Sequence, residues 1–305
     1  YKRPMLEDYP KGPSPMDDDK VASSKYASTP TRIGSRDNPA LPAGEFLCPV
    51  RSNEWVNEEY KLMVLDAPPK ALTARPGQFF QLLCPSPDGA EVWTRRPMSI
   101  YVVDAAAGRL EFLYKVLGRG TAGLATLKTG DDFNIAGPFG NGFTLAPRWK
   151  NIVVIGRGVG LATMAPISQM AAEAGVGVTA VLSARTPALA MSADLFERIG
   201  ARVVPVLDSD GSSAVENVEA ILEKLIADRR LDAFYTCGSN RLLALVQRLG
   251  KKHGIPGQVA MEQIMACGLG PCYICVRTFM VDGRKVLRRV CRDGPVFNMQ
   301  EAVGW

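Results

Sequence analysis

Three cysteines stand within nine residues of one another, Cys267, Cys272 and Cys275 in the stretch CGLGPCYIC, and have the spacing of a ligand set. Iron–sulfur clusters and structural zinc sites take four protein ligands, so the stretch calls for a fourth. Fifteen residues separate Cys275 from the next cysteine, and in their middle lies Asp282-Gly283, a two-residue hairpin turn flanked by Thr278-Phe279-Met280-Val281 and Lys285-Val286-Leu287. With that turn, Val281 faces Arg284 and Cys275 faces Val290. Cys291 then comes beside Cys275 and supplies the fourth ligand. The pattern C-x4-C-x2-C-x15-C opens like the plant-type [2Fe–2S] arrangement, which takes its last cysteine from a distance. Gly268 and Gly270 let the loop wrap closely, so that backbone N–H groups point at sulfur and compensate negative charge. Zinc, which favours paired short spacings, and unliganded thiols are the competing readings.

Two further groups of residues have the types needed to hold nucleotides. Arg96-Pro97-Met98-Ser99 opens one strand, and Leu113-Tyr114-Lys115-Val116 on the next runs straight into Gly118-Arg119-Gly120-Thr121. A Gly-x-Gly-Thr turn before a short helix presents N–H groups to a pyrophosphate, and Arg96 adds a charge-assisted contact. Ser99 is placed to hydrogen-bond the edge of an isoalloxazine and tune it. Singly, each of these is an ordinary turn or strand edge; their order and spacing carry the reading.

The second group follows a buried strand at residues 151–155, where Gly156-Arg157-Gly158-Val159-Gly160 leads into a helix and brings backbone close to a dinucleotide. Arg157, standing among these glycines, could clamp a pyrophosphate, contact a partner or obstruct the nucleotide. Cys237-Gly238-Ser239 falls at the carboxyl edge of a later strand, near where a nicotinamide would meet a flavin; the bland reading of Cys237 is a small buried residue closing that strand. Ser183-Ala184-Arg185-Thr186 belongs where an adenosine ribose would lie. Arg185 suits a 2′-phosphate, and that loop lacks the acid that marks NAD.

The elements that must position these residues fall into distinct stretches. Residues 1–45 hold seven prolines, the acidic run Asp17-Asp18-Asp19 and few large aliphatic residues, and are expected to be a disordered leader or an arm that orders on a partner. Residues 46–147 carry short strand-like runs at 61–66, 79–83, 97–103, 109–116 and 133–136, a small antiparallel β-barrel. Residues 148–253 alternate strand and helix, which predicts a Rossmann-like parallel α/β domain covered on both faces. Residues 254–305 form the small cluster-bearing domain. The fold class is thus multidomain, β plus α/β.

Totals narrow the functions. The chain has 305 residues, 47% hydrophobic, and a formal charge of +5 without any long basic block, which argues against nucleic acid as a partner. No run approaches the ~18 apolar residues of a membrane span. The chain opens at Tyr1 without a signal-peptide pattern, and four of its seven cysteines crowd the last 39 residues, so a reducing, cytoplasmic setting is expected.

Pro76-Gly77-Gln78-Phe79, RRPMSIY at 95–101, LYKVLGRGT at 113–121, GPFGNGF at 137–143, CGLGPCYIC, and CRDGPVF at 291–297 together resemble the electron-transfer subunit of dihydroorotate dehydrogenase type B, of the ferredoxin–NADP reductase-like superfamily. The resemblance runs from about residue 46 to the C-terminus. It implies FAD on the barrel, contacted by Arg96, Pro97, Met98, Ser99, Tyr114, Gly120 and Thr121, with Lys115 and Gly118 beside them. It implies a [2Fe–2S] cluster on Cys267, Cys272, Cys275 and Cys291. NAD(H) is the implied nucleotide, with NADP(H) not excluded, at Gly156, Gly158, Gly160, Arg185, Cys237 and Gly238.

The implied activity is that of an oxidoreductase subunit. A hydride carries two electrons and a [2Fe–2S] cluster accepts one, so a flavin belongs between them, with Ser99 and Cys237 nearest the chemistry. Neither a paired-carboxylate motif nor a His-containing triad appears, and His253 is the only histidine. Substrate chemistry is therefore expected on a partner in a hetero-oligomer, a flavin-containing catalytic subunit. The alternatives are an electron relay without a working nicotinamide site and a subunit of a bifurcating NAD(P)H:ferredoxin transhydrogenase.

Overall fold

The structure is a computed structural model that describes residues 43–89 and 92–304; the leader expected over 1–45 lies outside the described residues except for its last three. The first half is a seven-stranded antiparallel sheet built from β1 (Gly44–Trp55), β2 (Tyr60–Asp66), β3 (Phe79–Leu82), β4 (Arg96–Ser99), β5 (Val102–Asp104), β6 (Arg109–Lys115) and β7 (Asp132–Phe139). Their order is β4-β3-β7-β1-β2-β6-β5, so the two edge strands are consecutive in the chain. The corner between them, Ile100 and Tyr101, curls the sheet into a barrel, and the single run expected at 97–103 is these two strands. Inward residues alternate along β2 and β7, and Phe80, Phe112, Phe133, Met63 and Leu65 fill the interior with almost no exposure.

β1 is the longest strand and has no counterpart in the runs read from the sequence. Pro49 in mid-strand hides the alternation, yet the strand pairs on both sides and accommodates the break with an irregularity between Val50 and Ser52. The helix after β6, α1 (Arg119–Ala125), crosses the loop ahead of β4 so tightly that a Cβ on Gly123 would meet the Pro85 carbonyl at 1.8 Å.

The second sheet has six strands in the order β10-β9-β8-β11-β12-β15: β8 (Asn151–Arg157), β9 (Gly177–Ala184), β10 (Arg202–Leu207), β11 (Ala233–Cys237), β12 (Gly257–Ala260) and β15 (Val296–Asn298). All are parallel except β15, which runs antiparallel to β12. Residues along β8 serve two cores in turn. Ile152 and Val154 pack with helix α2 (Gly160–Glu173) and Phe196 of α3 (Ala193–Arg198), whereas Val153 and Ile155 pack with α4 (Val215–Ala227) and α5 (Asn240–His253). That is the near-continuous apolar strand of a sheet covered on both faces.

Between β12 and β15 the chain leaves the sheet, forms the cysteine loop and the hairpin of β13 (Val276–Val281) and β14 (Arg284–Arg289), and returns through α6 (Val290–Asp293). β12 and β15, from the region 254–305, therefore complete the α/β sheet. Asp282 takes a positive φ, and Val281 pairs with Arg284 and Val276 with Arg289, the register the Asp-Gly turn predicts.

Candidate functional site: a cleft, a cysteine loop and a polar pocket

Three quoted motifs lock together where barrel, sheet and hairpin meet. Asn141 donates two hydrogen bonds at the end of α6: its N–H to the Gly294 carbonyl at 2.6 Å and its side-chain Nδ2 to the Asp293 carbonyl at 3.2 Å. Gln78 Nε2 donates to the Gly140 carbonyl at 2.8 Å, and the Phe143 N–H to the Pro76 carbonyl at 2.7 Å. A Cβ on Gly140, whose φ is +78°, would lie 2.5 Å from Pro295. Glycine is required there because the cysteine loop's return crosses the barrel at backbone contact.

Beside this junction opens a cleft of about 220 Å³. Pro97, Met98 and Ser99 of β4 form its barrel wall, Val159, Ala162 and Thr163 at the start of α2 its opposite wall, and Glu262 and Met265 its floor. Phe79 also lines it. At the carboxyl edge of the sheet, Gly160 meets β11 so closely that a Cβ would come within 2.6 Å of the Cys237 carbonyl, and Gly238, at φ +87°, lies against the Arg157 carbonyl. The strand order reverses here, between β8 and β11, where open α/β sheets bind ligands.

Cys237 is buried, and its Sγ lies 3.8 Å from Glu262 Oε1. Burial first, then the neighbouring carboxylate, pushes its thiol well above the ordinary range. It is a neutral thiol. Glu262 is exposed on the cleft floor, and partial desolvation of its carboxyl raises its pKa. Glu262 went unnoticed in the sequence because a lone Glu between Met261 and Gln263 has no pattern; only the fold brings it 25 positions back to Cys237.

The cysteine loop carries its four thiols as two pairs. Cys275 Sγ and Cys291 Sγ are 3.2 Å apart and buried, while Cys267 and Cys272 share hydrogen bonds at the exposed end. Among the described residues no three Cys, His, Asp or Glu side chains converge on one point. Two pairs suit two irons, each taking one pair, better than a single tetrahedral zinc. The N–H groups of Leu269 and Gly270 point at Cys267 Sγ at 3.4 and 3.3 Å, made possible by Gly268 at φ +68° and Gly270 at φ +106°. Burial alone would raise the Cys267 thiol, but hydrogen bonds from Cys272 and these N–H groups bring it down to about 7. Beside the loop, where a Cβ on Gly268 would touch it at 2.9 Å, Gln81 is fully buried with neither amide atom partnered. A polar group held by the loop would satisfy it.

The third element is a small polar pocket of about 110 Å³ between barrel and α/β sheet, lined by Glu59, Tyr60, Lys115, Arg157, Gly158 and Arg185 among others. Arg157 does not lie across the glycine turn. Its guanidinium grips Asp208 through both nitrogens, at 3.1 and 2.6 Å, and donates to Ser183 Oγ at 2.9 Å. Arg185 is paired with Glu59, which also holds Lys115 at 2.7 Å.

Comparisons with known proteins follow the same division. Residues 47–143 match the oxidoreductase FAD-binding domain family, and residues 262–303 the iron–sulfur cluster binding domain of dihydroorotate dehydrogenase B. The electron transfer subunit of dihydroorotate dehydrogenase B (NAD(+)) from Desulforamulus reducens is 34% identical over 242 residues, covering 79% of this chain and 91% of that one. The chain belongs to this family of electron transfer subunits. The corresponding subunit from Streptococcus pneumoniae R6 is 34% identical over 227 residues, covering 73% and 85%. Among solved structures, a chain of an NADH-dependent reduced ferredoxin–NADP oxidoreductase, studied for flavin-based electron bifurcation, aligns with a TM-score of 0.71 at 28% identity, over 85% of this chain and 90% of that one. The ferredoxin–NADP+ reductase of Plasmodium falciparum, at 12% identity and TM-score 0.55 over 69% and 90%, shares the fold.

Membership brings FAD and a [2Fe–2S] cluster to this chain, and the residues present fit both groups. Pro97, Met98 and Ser99 wall the cleft. Arg96 lies across the turn before α1, where a Cβ on Gly120 would touch its Nε at 2.7 Å, and its Nη1 is anchored on Trp93 and Thr94. Thr121 Oγ1 accepts the N–H groups of Leu117 and Gly118 and so shapes this turn, with Gly120 buried beneath Arg96. Two expectations need correction. Tyr114 has its ring fully buried in the barrel and its hydroxyl donated to Asn53 Oδ1 at 2.8 Å, so its side chain braces the barrel and is not a flavin contact. The Lys115 side chain lies in the polar pocket with Arg157 and Arg185, paired with Glu59, and does not line the cleft walled by Pro97–Ser99. Cys275 with Cys291 and Cys267 with Cys272 form two neighbouring pairs, four thiols whose number and type suit the cluster. Among the described residues, no helix is long and apolar enough to cross a membrane.

Proposed function

We propose that this chain moves electrons between a nicotinamide nucleotide, FAD and a [2Fe–2S] cluster, to or from a separate catalytic subunit, and that this subunit oxidises dihydroorotate as in the named relatives. One observation carries the reading. Phe79 and Met265 line the cleft and also belong to the same buried apolar core as Cys275 and Cys291. The flavin cleft and the buried cysteine pair are thus two sides of one packed layer.

When bound, FAD supplies a carrier that takes two electrons together and releases them singly to a one-electron cluster. The chain's residues hold and orient. The Gly156–Gly160 turn and the start of α2 offer backbone N–H groups to a dinucleotide diphosphate, with Lys115 supplying charge. Glu262, its carboxyl pKa raised by partial desolvation, is suited to keep or release a proton at the cleft floor next to neutral Cys237. Phe79, Met98, Met261 and Met265 exclude water.

Ile264, Leu269, Tyr273 and Ile274 are more than half exposed and surround the exposed Cys272, an apolar rim that fits docking of the catalytic subunit over the cluster. Thiolate ligands of this kind persist in a reducing compartment, and the cytoplasm is the proposed location.

The test is anaerobic visible and EPR spectroscopy of the purified chain, before and after one equivalent of NADH. Flavin bleaching followed by a reduced-cluster EPR signal is expected, with dihydroorotate producing the same signal once the catalytic subunit is added. Reduction by dithionite but not by NADH would replace this reading with a relay between two partner proteins, and a colourless protein carrying one zinc would end both.

A further inference from the structure

The polar pocket holds two arginines of the kind that recognise a 2′-phosphate, and each is already committed to a carboxylate. Arg157 ends β8, Ser183 lies beside it near the end of β9, and Asp208 follows β10, so three neighbouring strands bring their carboxyl ends together. Backbone bonds stitch Asp208 to that edge: its N–H donates to the Ala184 carbonyl at 3.1 Å and the Ser209 N–H to the Arg185 carbonyl at 3.0 Å. Asp208 receives both Arg157 nitrogens and the Ser213 hydroxyl. It therefore sits where a dinucleotide fold places the acid that reads the ribose 2′-hydroxyl, although it arrives from the third strand of the sheet instead of the second. On the barrel side, Glu59 engages Arg185 and Lys115 together.

Resting on the proposal that a nicotinamide nucleotide binds here, we infer that Asp208, through Arg157, and Glu59, through Arg185, set the nucleotide preference in favour of NADH. A free ribose hydroxyl meets a carboxylate that still has acceptor capacity. A 2′-phosphate meets two carboxylates, and the guanidinium groups that would bind it must first leave bidentate or short ionic partners. Discrimination thus comes from occupied arginines, a repulsive device as much as an attractive one. Arg185 in the sequence suggests NADPH; its pairing with Glu59 in the structure reverses that suggestion.

The test is binding, separate from any redox step. The full chain carrying its cofactors is titrated calorimetrically with ADP-ribose and with 2′-phospho-ADP-ribose. The wild type is expected to favour ADP-ribose by tenfold or more. Asp208→Asn, which frees Arg157, is expected to narrow that ratio at least tenfold, and Glu59→Gln to narrow it independently through Arg185. Adding Arg157→Gly to Asp208→Asn is expected to restore much of the preference, since the freed guanidinium is then absent. An unchanged ratio in both single variants, with ADP-ribose still bound, overturns the inference and leaves the nucleotide site standing. Binding of neither analogue to the wild type overturns the site itself.

Discussion

Tyr114→Phe separates two accounts of one residue. If its side chain touched FAD, loss of the hydroxyl would weaken flavin binding. In the structure the hydroxyl donates to Asn53 Oδ1, while Asn53 Nδ2 donates to the carbonyls of Leu124 at 2.8 Å and Leu127 at 3.1 Å. This network ties β1 and β6 to the end of α1. Burial drives the Tyr114 phenol above its usual range, so it stays a neutral donor at every working pH. Phenylalanine keeps the ring packing and leaves Asn53 Oδ1 buried without a donor, a loss of about 1–3 kcal/mol. For a chain of 305 residues that lowers Tm by about 2–5 °C. Asn53→Ala removes three bonds at once and is expected to cost about 3 kcal/mol or more.

The assay is urea unfolding of the flavin-loaded chain at two FAD concentrations, because binding to the native state adds to apparent stability and must be separated from it. FAD affinity is measured alongside by fluorescence. The expected outcome is lower stability in Tyr114→Phe with FAD affinity within about threefold of wild type, on the order of 0.7 kcal/mol. Unchanged stability together with tenfold weaker FAD binding would refute the barrel-brace account and return Tyr114 to the flavin site.

Asp208 gives a pH signature. Arg157, with help from Ser213, lowers its pKa from 3.8 to about 2, so its contribution to stability is complete above about pH 4 and is lost as pH falls toward 2. The carboxylate is 40% exposed, and solvent screening limits the contribution to about 1 kcal/mol or less. The stability difference between wild type and Asp208→Asn, followed by urea unfolding from pH 7 down to 2, should shrink in that window; a difference that grows instead would contradict the pairing. Iodoacetamide should leave Cys237 unmodified in the folded chain at pH 8, as mapped by mass spectrometry, because burial keeps its thiol neutral and covered. Gln81→Leu should stabilise the cluster-free chain by removing two orphaned buried atoms, and should lower the cluster's reduction potential in an EPR titration by removing a donor that favours the more negative, reduced state.

What could be read from the sequence was local. The Asp282-Gly283 turn and the two-residue period of the strands beside it are enough to bring Cys291 to Cys275 across 16 positions. The helix α2 declares itself through the glycine turn that precedes it. β12 and β15 span four and three residues, too short for a period, and are strands because an existing sheet edge accepts them. Arg157 with Asp208 is a contact across 51 positions, and Arg185 with Glu59 across 126, and neither leaves a mark in the flanking residues. An acid just after the third strand was the available signal for Asp208. Looking for it only after the second strand missed it. Tyr114 was misplaced for a different reason: a motif match locates a segment, while strand parity decides which way each side chain points.

The same long-range contacts explain how the cleft keeps its width. Tyr60, Tyr101 and Leu113 from the barrel share one buried core with Ala162, Ala165, Ala184, Leu189, Leu195 and Leu207 from the α/β sheet. Asn57 Nδ2 donates to the Ala188 carbonyl at 3.1 Å, adding a polar tie at the edge of that core, and Glu59 grips Arg185 next to it. An interface with this much apolar packing resists hinge motion that a smaller polar one would permit. On the other side of the cleft, Gly140 against Pro295 and the Gly294 carbonyl, and Gly268 against the Gln81 side chain, bring the cysteine loop close onto the barrel. Both walls of the cleft and the buried cysteine pair are consequently referenced to the same strands, β3, β6 and β7. Electron transfer between two groups depends on their spacing, and here that spacing is held by packed backbone and glycines that tolerate no Cβ, while nucleotide choice is left to side-chain ion pairs at the periphery, where substitution can change it without moving the groups that carry electrons.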